Sequence, residues 1–180
     1  MIPFGKMIVE EGLVSKGKIR KRKTVRAIIL NSEQQVLMVY SELFDDYTFP
    51  GGGIIDSETD QQALTRELKE EIGADKITII KLYGTTKEMR YGVNGSDHVY
   101  MQTSTYYLCE IHEFGTQELK GRELLHGLIP KWVSMNEALE KNENIMKDFR
   151  HQTKGLKTVL IRENMVLNKL KEINQCANLK

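Results

Sequence analysis

Between Gly52 and Ala74 the chain reads Gly-x5-Glu-x7-Arg-Glu-Leu-x-Glu-Glu-x-Gly-Ala, with Gly52, Glu58, Arg66, Glu67, Glu70, Glu71 and Gly73 at the spaced positions. Thr59 followed three residues later by Gln62 is a capping-box pattern, so a helix is predicted to open near Asp60. Gly73 suits the left-handed position that closes it. Leu64, Leu68 and Ile72 recur every four residues and form a stripe to be buried. Glu67, Glu70 and Glu71 stand at i, i+3 and i+4, which share one helix face. Like charges so placed repel by a few tenths of a kcal/mol per pair on a bare helix. A bound cation is the simplest reason to keep them together. One short helix therefore offers a face to a sheet and a face to a metal.

The flanking chain supplies the sheet. Residues 24–31 are β-branched and apolar and read as a buried strand. Asn31 to Gln34 is turn material, and Gln35 to Tyr40 returns as the second arm of a hairpin. Tyr47 to Phe49 makes a short strand before the glycines, Lys76 to Leu82 a loosely alternating one, and Asp97 to Ile111 a long one. Asn94-Gly95 is a hairpin signal. Glu113 to Gly127 is a polar, glycine-dotted loop. Ile129 to Val133 is a strand in which Trp132 is expected to pack in the core. Ser134 with Glu137 opens a short helix, and apolar residues at 156, 159, 160, 166, 167, 170 and 173 make an amphipathic one over about 156–175. This order of elements implies α+β or α/β, with a mixed sheet between helices.

The Gly52–Ala74 segment resembles the Nudix box, the signature of the Nudix hydrolases. All 23 positions fit, and the mild departure is Ala74, where a bulkier aliphatic residue is usual. Phe49-Pro50-Gly51-Gly52-Gly53 is similar to the family's entry into the box. The resemblance implies the Nudix fold, an α/β/α sandwich, and metal-dependent hydrolysis of a nucleoside diphosphate linked to another group. Nucleoside triphosphates, ADP-ribose, nucleotide sugars, dinucleotides and capped or triphosphorylated RNA ends are all substrates of that type. It also implies Mg²⁺ or Mn²⁺ held by Glu67, Glu70 and Glu71, with the Gly51 carbonyl able to join the shell. Glu58 and Arg66 match the pair that braces loop against helix, and Arg66 can orient a glutamate. Gly52 and Gly73 are structural. The general base lies in the box in some members and on a later loop in others. That loop offers Glu113, Glu118 and Glu123, of which Glu123 is preferred and Glu118 is second.

Outside the box, Arg26 is a candidate phosphate ligand, although a strand-edge ion pair is an equal use of it. Tyr47, Phe49, Tyr83 and Tyr91 are candidates to stack on a base, core packing being the ordinary use of each. His98, His112, His126 and His151 lack zinc spacing. Residues 1–23 form an arm of uncertain structure before a single domain over 24–180, with Ile8 and Val9 suited to a short strand. The basic run Lys16, Lys18, Arg20, Lys21, Arg22 and Lys23 reads as a solvated edge or loop, or else as a collar for an anionic substrate or RNA. It has no interleaved aromatics, and the net charge of +1 gives no support to a nucleic-acid surface. No run approaches the ~18 apolar residues of a membrane span. The two cysteines, Cys109 and Cys176, have no ligand spacing, and a cytoplasmic protein is expected. The N-terminal arm and last helix could each support a homodimer. Two rival readings remain. One is a non-catalytic Nudix-like nucleotide sensor, although such domains usually lose box glutamates. The other is an isopentenyl diphosphate isomerase, which would need a catalytic cysteine.

Overall fold

The computed structural model describes residues 2–15, 19–93, 98–149 and 153–177. In chain order the elements are β1 Ile8–Val9, β2 Arg20–Ile28, β3 Val36–Ser41, β4 Asp46–Thr48, α1 Asp60–Ile72, β5 Ala74–Tyr91, β6 Val99–Phe114, α2 Arg122–His126, β7 Leu128–Val133, α3 Met135–Lys147 and α4 Leu156–Ala177. One sheet has the order β1-β5-β6-β2, with β1 parallel to β5, β5 antiparallel to β6, and β6 parallel to β2. The other, β4-β3-β7, is antiparallel. The two meet where Leu37 N–H donates to the Ile29 carbonyl at 3.0 Å.

Strand alternation distributes the core between two helical layers. Val25 and Ala27 of β2 and Ile29 just beyond it, with Leu37 and Val39 of β3, pack against Ala63, Leu64, Leu68 and Ile72 of α1. Their neighbours Ile28, Val36 and Met38 face the other way, toward Ala138 and Leu139 of α3 and Val166, Leu167 and Leu170 of α4. The expected mixed α+β sandwich, strand layers between helices, is present. Among the described residues no helix is long and apolar enough to cross a membrane.

Several elements differ from their sequence reading. β2 begins at Arg20, so Arg20 to Lys23 pair with Tyr100 to Thr103 as strand rather than as a connecting loop. Lys16, Lys18, His151 and the Asn94-Gly95 turn lie outside the described residues, as does the side chain of Cys176. β5 runs to Tyr91, well past Leu82, with register shifts at Ile79/Lys81 and Leu82/Gly84 that break its alternation. The loop over 113–127 contains the short helix α2. Trp132 is not a core residue. It lies on β7 with 38% of its surface exposed.

Candidate active site

α1 is built as its caps dictate. The Thr59 side chain accepts from Gln62 N–H, Gln62 returns the bond to the Thr59 amide, and Gly73 closes the helix at φ 67°. Glu67 and Glu71 are buried with the apolar stripe, at 7% and 8% exposure, because the glycine run lies against them. Residues 50–54 follow the free edge of β2. Ala27 N–H donates to the Pro50 carbonyl at 2.9 Å, Val25 N–H to Gly52 at 3.0 Å, and Ile54 N–H to Lys23 at 3.1 Å. Two glycines are needed for distinct reasons. Gly51 has φ 123°, and a Cβ there would meet the Val25 carbonyl at 2.3 Å. A Cβ on Gly52 would lie 2.4 Å from Oε2 of Glu67, so the missing side chain is the space that the carboxylate occupies.

The carboxylates are held by specific partners. Glu71 Oε2 accepts the Gly51 N–H at 2.7 Å. Arg66 binds both oxygens of Glu58, Nε to Oε1 at 2.7 Å and Nη2 to Oε2 at 2.9 Å, and caps the Gly53 carbonyl at 3.0 Å. Its Nη1 donates to Glu67 Oε1 at 2.8 Å. Glu58 also accepts the Ile55 N–H at 3.0 Å, so loop and helix are joined through one charge pair. The Arg66 guanidinium holds the Glu58 carboxyl down to about 2. Burial acts oppositely on the inner pair. It raises Glu67 against the pull of Arg66, and it pushes Glu71 up to about 8 against Arg26 and the Gly51 N–H.

A third carboxylate arrives from outside the box. Oxygens of Glu67, Glu71 and Glu123 all lie within 4.8 Å of one another. Glu123 rides on α2, partly exposed, and its Oε2 accepts the Lys120 N–H at 3.0 Å. Of the three loop glutamates, Glu123 is the one that stands beside Glu67 and Glu71. Glu118 and Glu113 instead pair with Lys69 at 3.6 Å and Lys76 at 3.7 Å, on exposed surface. Glu70 is outside the convergent trio. Its Oε1 is 2.6 Å from Lys120 Nζ and its Oε2 3.5 Å from Arg66.

The remaining expectations divide. Arg26 lies half-buried beside the glycine run and donates from Nη1 to the Phe49 carbonyl at 2.7 Å. Tyr47 and Phe49 are corrections. Both belong to the core on the α3/α4 side, at 6% and 0% exposure, and neither presents a ring face to a ligand. Phe49 meets Tyr106 edge-on, and Tyr47 packs against Tyr40. Tyr83 packs on the same core, and Tyr91 bonds the Val14 carbonyl at 3.0 Å. Cys109 sits in the α1-side core, where burial pushes its thiol up to about 12, so it offers no nucleophile. Of two further neighbours, Gln117 escaped sequence reading and Arg22 was read only as one member of the basic run. Gln117 donates to the Glu71 carbonyl at 2.5 Å, and Arg22 Nη2 would stand 3.3 Å from a Cβ on Gly53. Arg22 shares the strand parity of Arg26, which is the signal that could have singled it out from that run. Gln117 has none.

Known proteins resemble the chain in sequence and in fold. An RNA pyrophosphohydrolase of Nitratiruptor sp. is 46% identical over 68 residues, 35% of this chain and 44% of that protein. One from Histophilus somni is 40% identical over 70 residues, 39% and 36% of the respective chains. The chain thus spans less than half the length of these curated relatives. A solved NUDIX hydrolase from Nitrosomonas europaea is similar in fold, with a TM-score of 0.53 and 20% identity over 80% of this chain and 88% of that one. The NUDIX domain family matches residues 20–153, from the start of β2 to the loop before α4. With that match spanning β2 to β7, the glycine run and the glutamate helix, the chain belongs to the NUDIX domain family.

Proposed function

We propose that the chain is a metal-dependent hydrolase that splits a diphosphate linkage in a nucleoside diphosphate derivative by attack of water on phosphorus. The observation that carries this reading is the convergence of Glu67, Glu71 and Glu123 within 4.8 Å, two of them buried. Three such oxygens without a cation are costly, and an all-oxygen donor set suits Mg²⁺ or Mn²⁺. When bound, such an ion supplies charge neutralisation at the diphosphate and acidifies water. The protein's own residues do the rest. Glu67 and Glu71, with Glu123 and the Gly51 backbone, would hold the ion, and Glu70 stands by on the same helix. Glu71 would serve as its carboxylate, the form that such an ion favours. Glu123, the one partly exposed member, would accept the proton of the attacking water. Arg66 keeps Glu67 in one rotamer, and Arg26 adds positive charge beside the buried pair.

The relatives' name, RNA pyrophosphohydrolase, supports keeping a triphosphorylated RNA end among the substrates to assay, beside nucleoside triphosphates, ADP-ribose, nucleotide sugars and dinucleotides. The test is phosphate or nucleotide release from that panel with Mg²⁺ or Mn²⁺, run beside Glu71→Gln. Metal-dependent cleavage of one class, lost in the variant, is the expected result. Tight binding of a panel member with no cleavage would replace this reading with a nucleotide sensor.

A further inference from the structure

On the sheet face turned away from α1 runs a buried ionic chain that is no part of the box pattern. Arg162 and Glu163 of α4 and Glu88 and Arg90 of β5 are at most 5% exposed. Glu88 Oε1 accepts from Arg90 Nε and from Arg162 Nη1, each at 2.8 Å. Arg162 Nε donates to Glu163 Oε1 at 3.0 Å, and its Nη2 contacts the same oxygen more closely. Two guanidinium groups thus balance two carboxylates. Burying four charges is expensive even when they are paired, and apolar residues of equal volume often serve stability as well or better. The chain calls for a role beyond cohesion, and its free end shows one.

Glu163 gives Oε1 to Arg162 and turns Oε2 to the Phe49 N–H at 3.0 Å. Arg26 Nη1 takes the carbonyl of the same residue at 2.7 Å. Both polar groups of Phe49 are therefore held by charged side chains, one from α4 and one from β2. Pro50, whose ring fixes φ, leaves little slack before Gly51. The Gly51 N–H then meets Glu71 Oε2 at 2.7 Å. We propose that Glu163 is a positioning residue for the metal centre: by holding the Phe49 N–H it sets the path of Pro50 and Gly51, and through the Gly51 N–H the aim of the Glu71 carboxylate.

This inference rests on the metal-dependent reading above, and its test is metal affinity without turnover. Mn²⁺ would be titrated by electron paramagnetic resonance into the wild type, Glu163→Gln, Glu163→Asp and Glu88→Gln, with thermal melts alongside. Gln removes the charge. Asp keeps the charge but is one methylene too short to reach Phe49. Glu88→Gln breaks the same ionic chain without touching Phe49. The expected result is an Mn²⁺ Kd raised about tenfold in both Glu163 variants, the size seen for groups that orient ligands. In Glu88→Gln it should stay within about twofold, though its melting point falls. Should Glu163→Gln fail to fold, Glu163→Asp carries the comparison. Unchanged Kd in a folded Glu163 variant, or an equal rise in Glu88→Gln, would overturn the positioning role alone. A wild type that binds no Mn²⁺ would overturn the metal reading and this proposal with it.

Discussion

Gly52→Ala separates the fold from the site. An added Cβ would lie 2.4 Å from Oε2, 2.5 Å from Cδ and 2.6 Å from Oε1 of Glu67, where ordinary contact begins at 3.4 Å. The carboxylate must therefore retreat by about 1 Å, the difference between 3.4 and 2.4 Å. The obstructing atoms are the tip of a side chain, and Gly52 is not among the positive-φ glycines, so the backbone accepts alanine. A less flexible unfolded chain returns ~0.4–1 kcal/mol, against ~1.5–3 kcal/mol for a weakened Arg66–Glu67 hydrogen bond. The net cost to stability is about 1–2 kcal/mol. Function fares worse, because metal–ligand distances tolerate only about 0.2 Å. Displacing Glu67 should lower turnover about 10²–10³-fold, the size of losing one preorganised electrostatic group, and weaken Mn²⁺ binding at least tenfold. Calorimetry, Mn²⁺ titration and initial rates on the responsive substrate would test this. Wild-type turnover and metal affinity in Gly52→Ala would refute the reasoning, since Glu67 would then not be needed where it stands.

Three further outcomes are expected. Glu71→Gln and Glu123→Gln should each cut turnover by roughly 10² with the fold retained, as judged by circular dichroism beside steady-state rates; a Glu123→Gln enzyme at full speed would remove that residue from the chemistry. Burial, then Glu163 and Asp45, push the Asp46 carboxyl up to about 7 from 3.8. Between those values the unfolded chain ionises while the native one keeps its proton, so this group's stabilisation, full below 3.8, is lost as pH rises to about 7. Asp46→Asn should accordingly gain more in melting temperature over wild type at pH 8 than at pH 4, and an equal difference at both would contradict the burial argument. Leu64→Ala, at a fully buried position between α1 and the sheet, should cost about 2–5 kcal/mol in denaturant melts; a loss below 1 kcal/mol would mean that the α1 layer is poorly packed.

The box helix was legible because its signals are local. Thr59, Gln62 and Gly73 act within four residues of the groups they satisfy, and the observed limits, Asp60–Ile72, follow them. The first two long strands were legible for a similar reason, but not their pairing: β2 and β3 fall in different sheets, joined by the Leu30–Val36 bridge, rather than forming the expected hairpin. β5 was not, because its bulges interrupt the two-residue period beyond Ile79 and Gly84 lies in its middle. Aromatic residues were ambiguous by nature. Phe49 and Tyr47 have the ring area either to stack on a base or to fill a core, and only the packing of α3 and α4 decides. Trp132 erred in the other direction, since a strand's outward face can carry a large ring. Near the box glutamates, Glu123 was visible in the sequence only as one of three loop carboxylates. Lys120 and Glu163 reach Glu70 and Phe49 across 50 and 114 residues, a separation that leaves no periodic trace.

The glycine run has a second consequence, one of solubility. β2 would otherwise end the sheet with a row of open amide and carbonyl groups, the kind of edge on which chains stack into aggregates. Residues 50–54 occupy that row through Ala27, Val25 and Lys23, while the opposite edge is shielded by the two-residue strand β1. The segment that shapes the active site is thus also the guard of the sheet. A substitution that frees it would disable the site and uncover a template for self-association in the same event. Inactive variants at Phe49 to Gly53 should therefore be separated by size before their rates are read, because a dead enzyme and a clumped one would otherwise look alike.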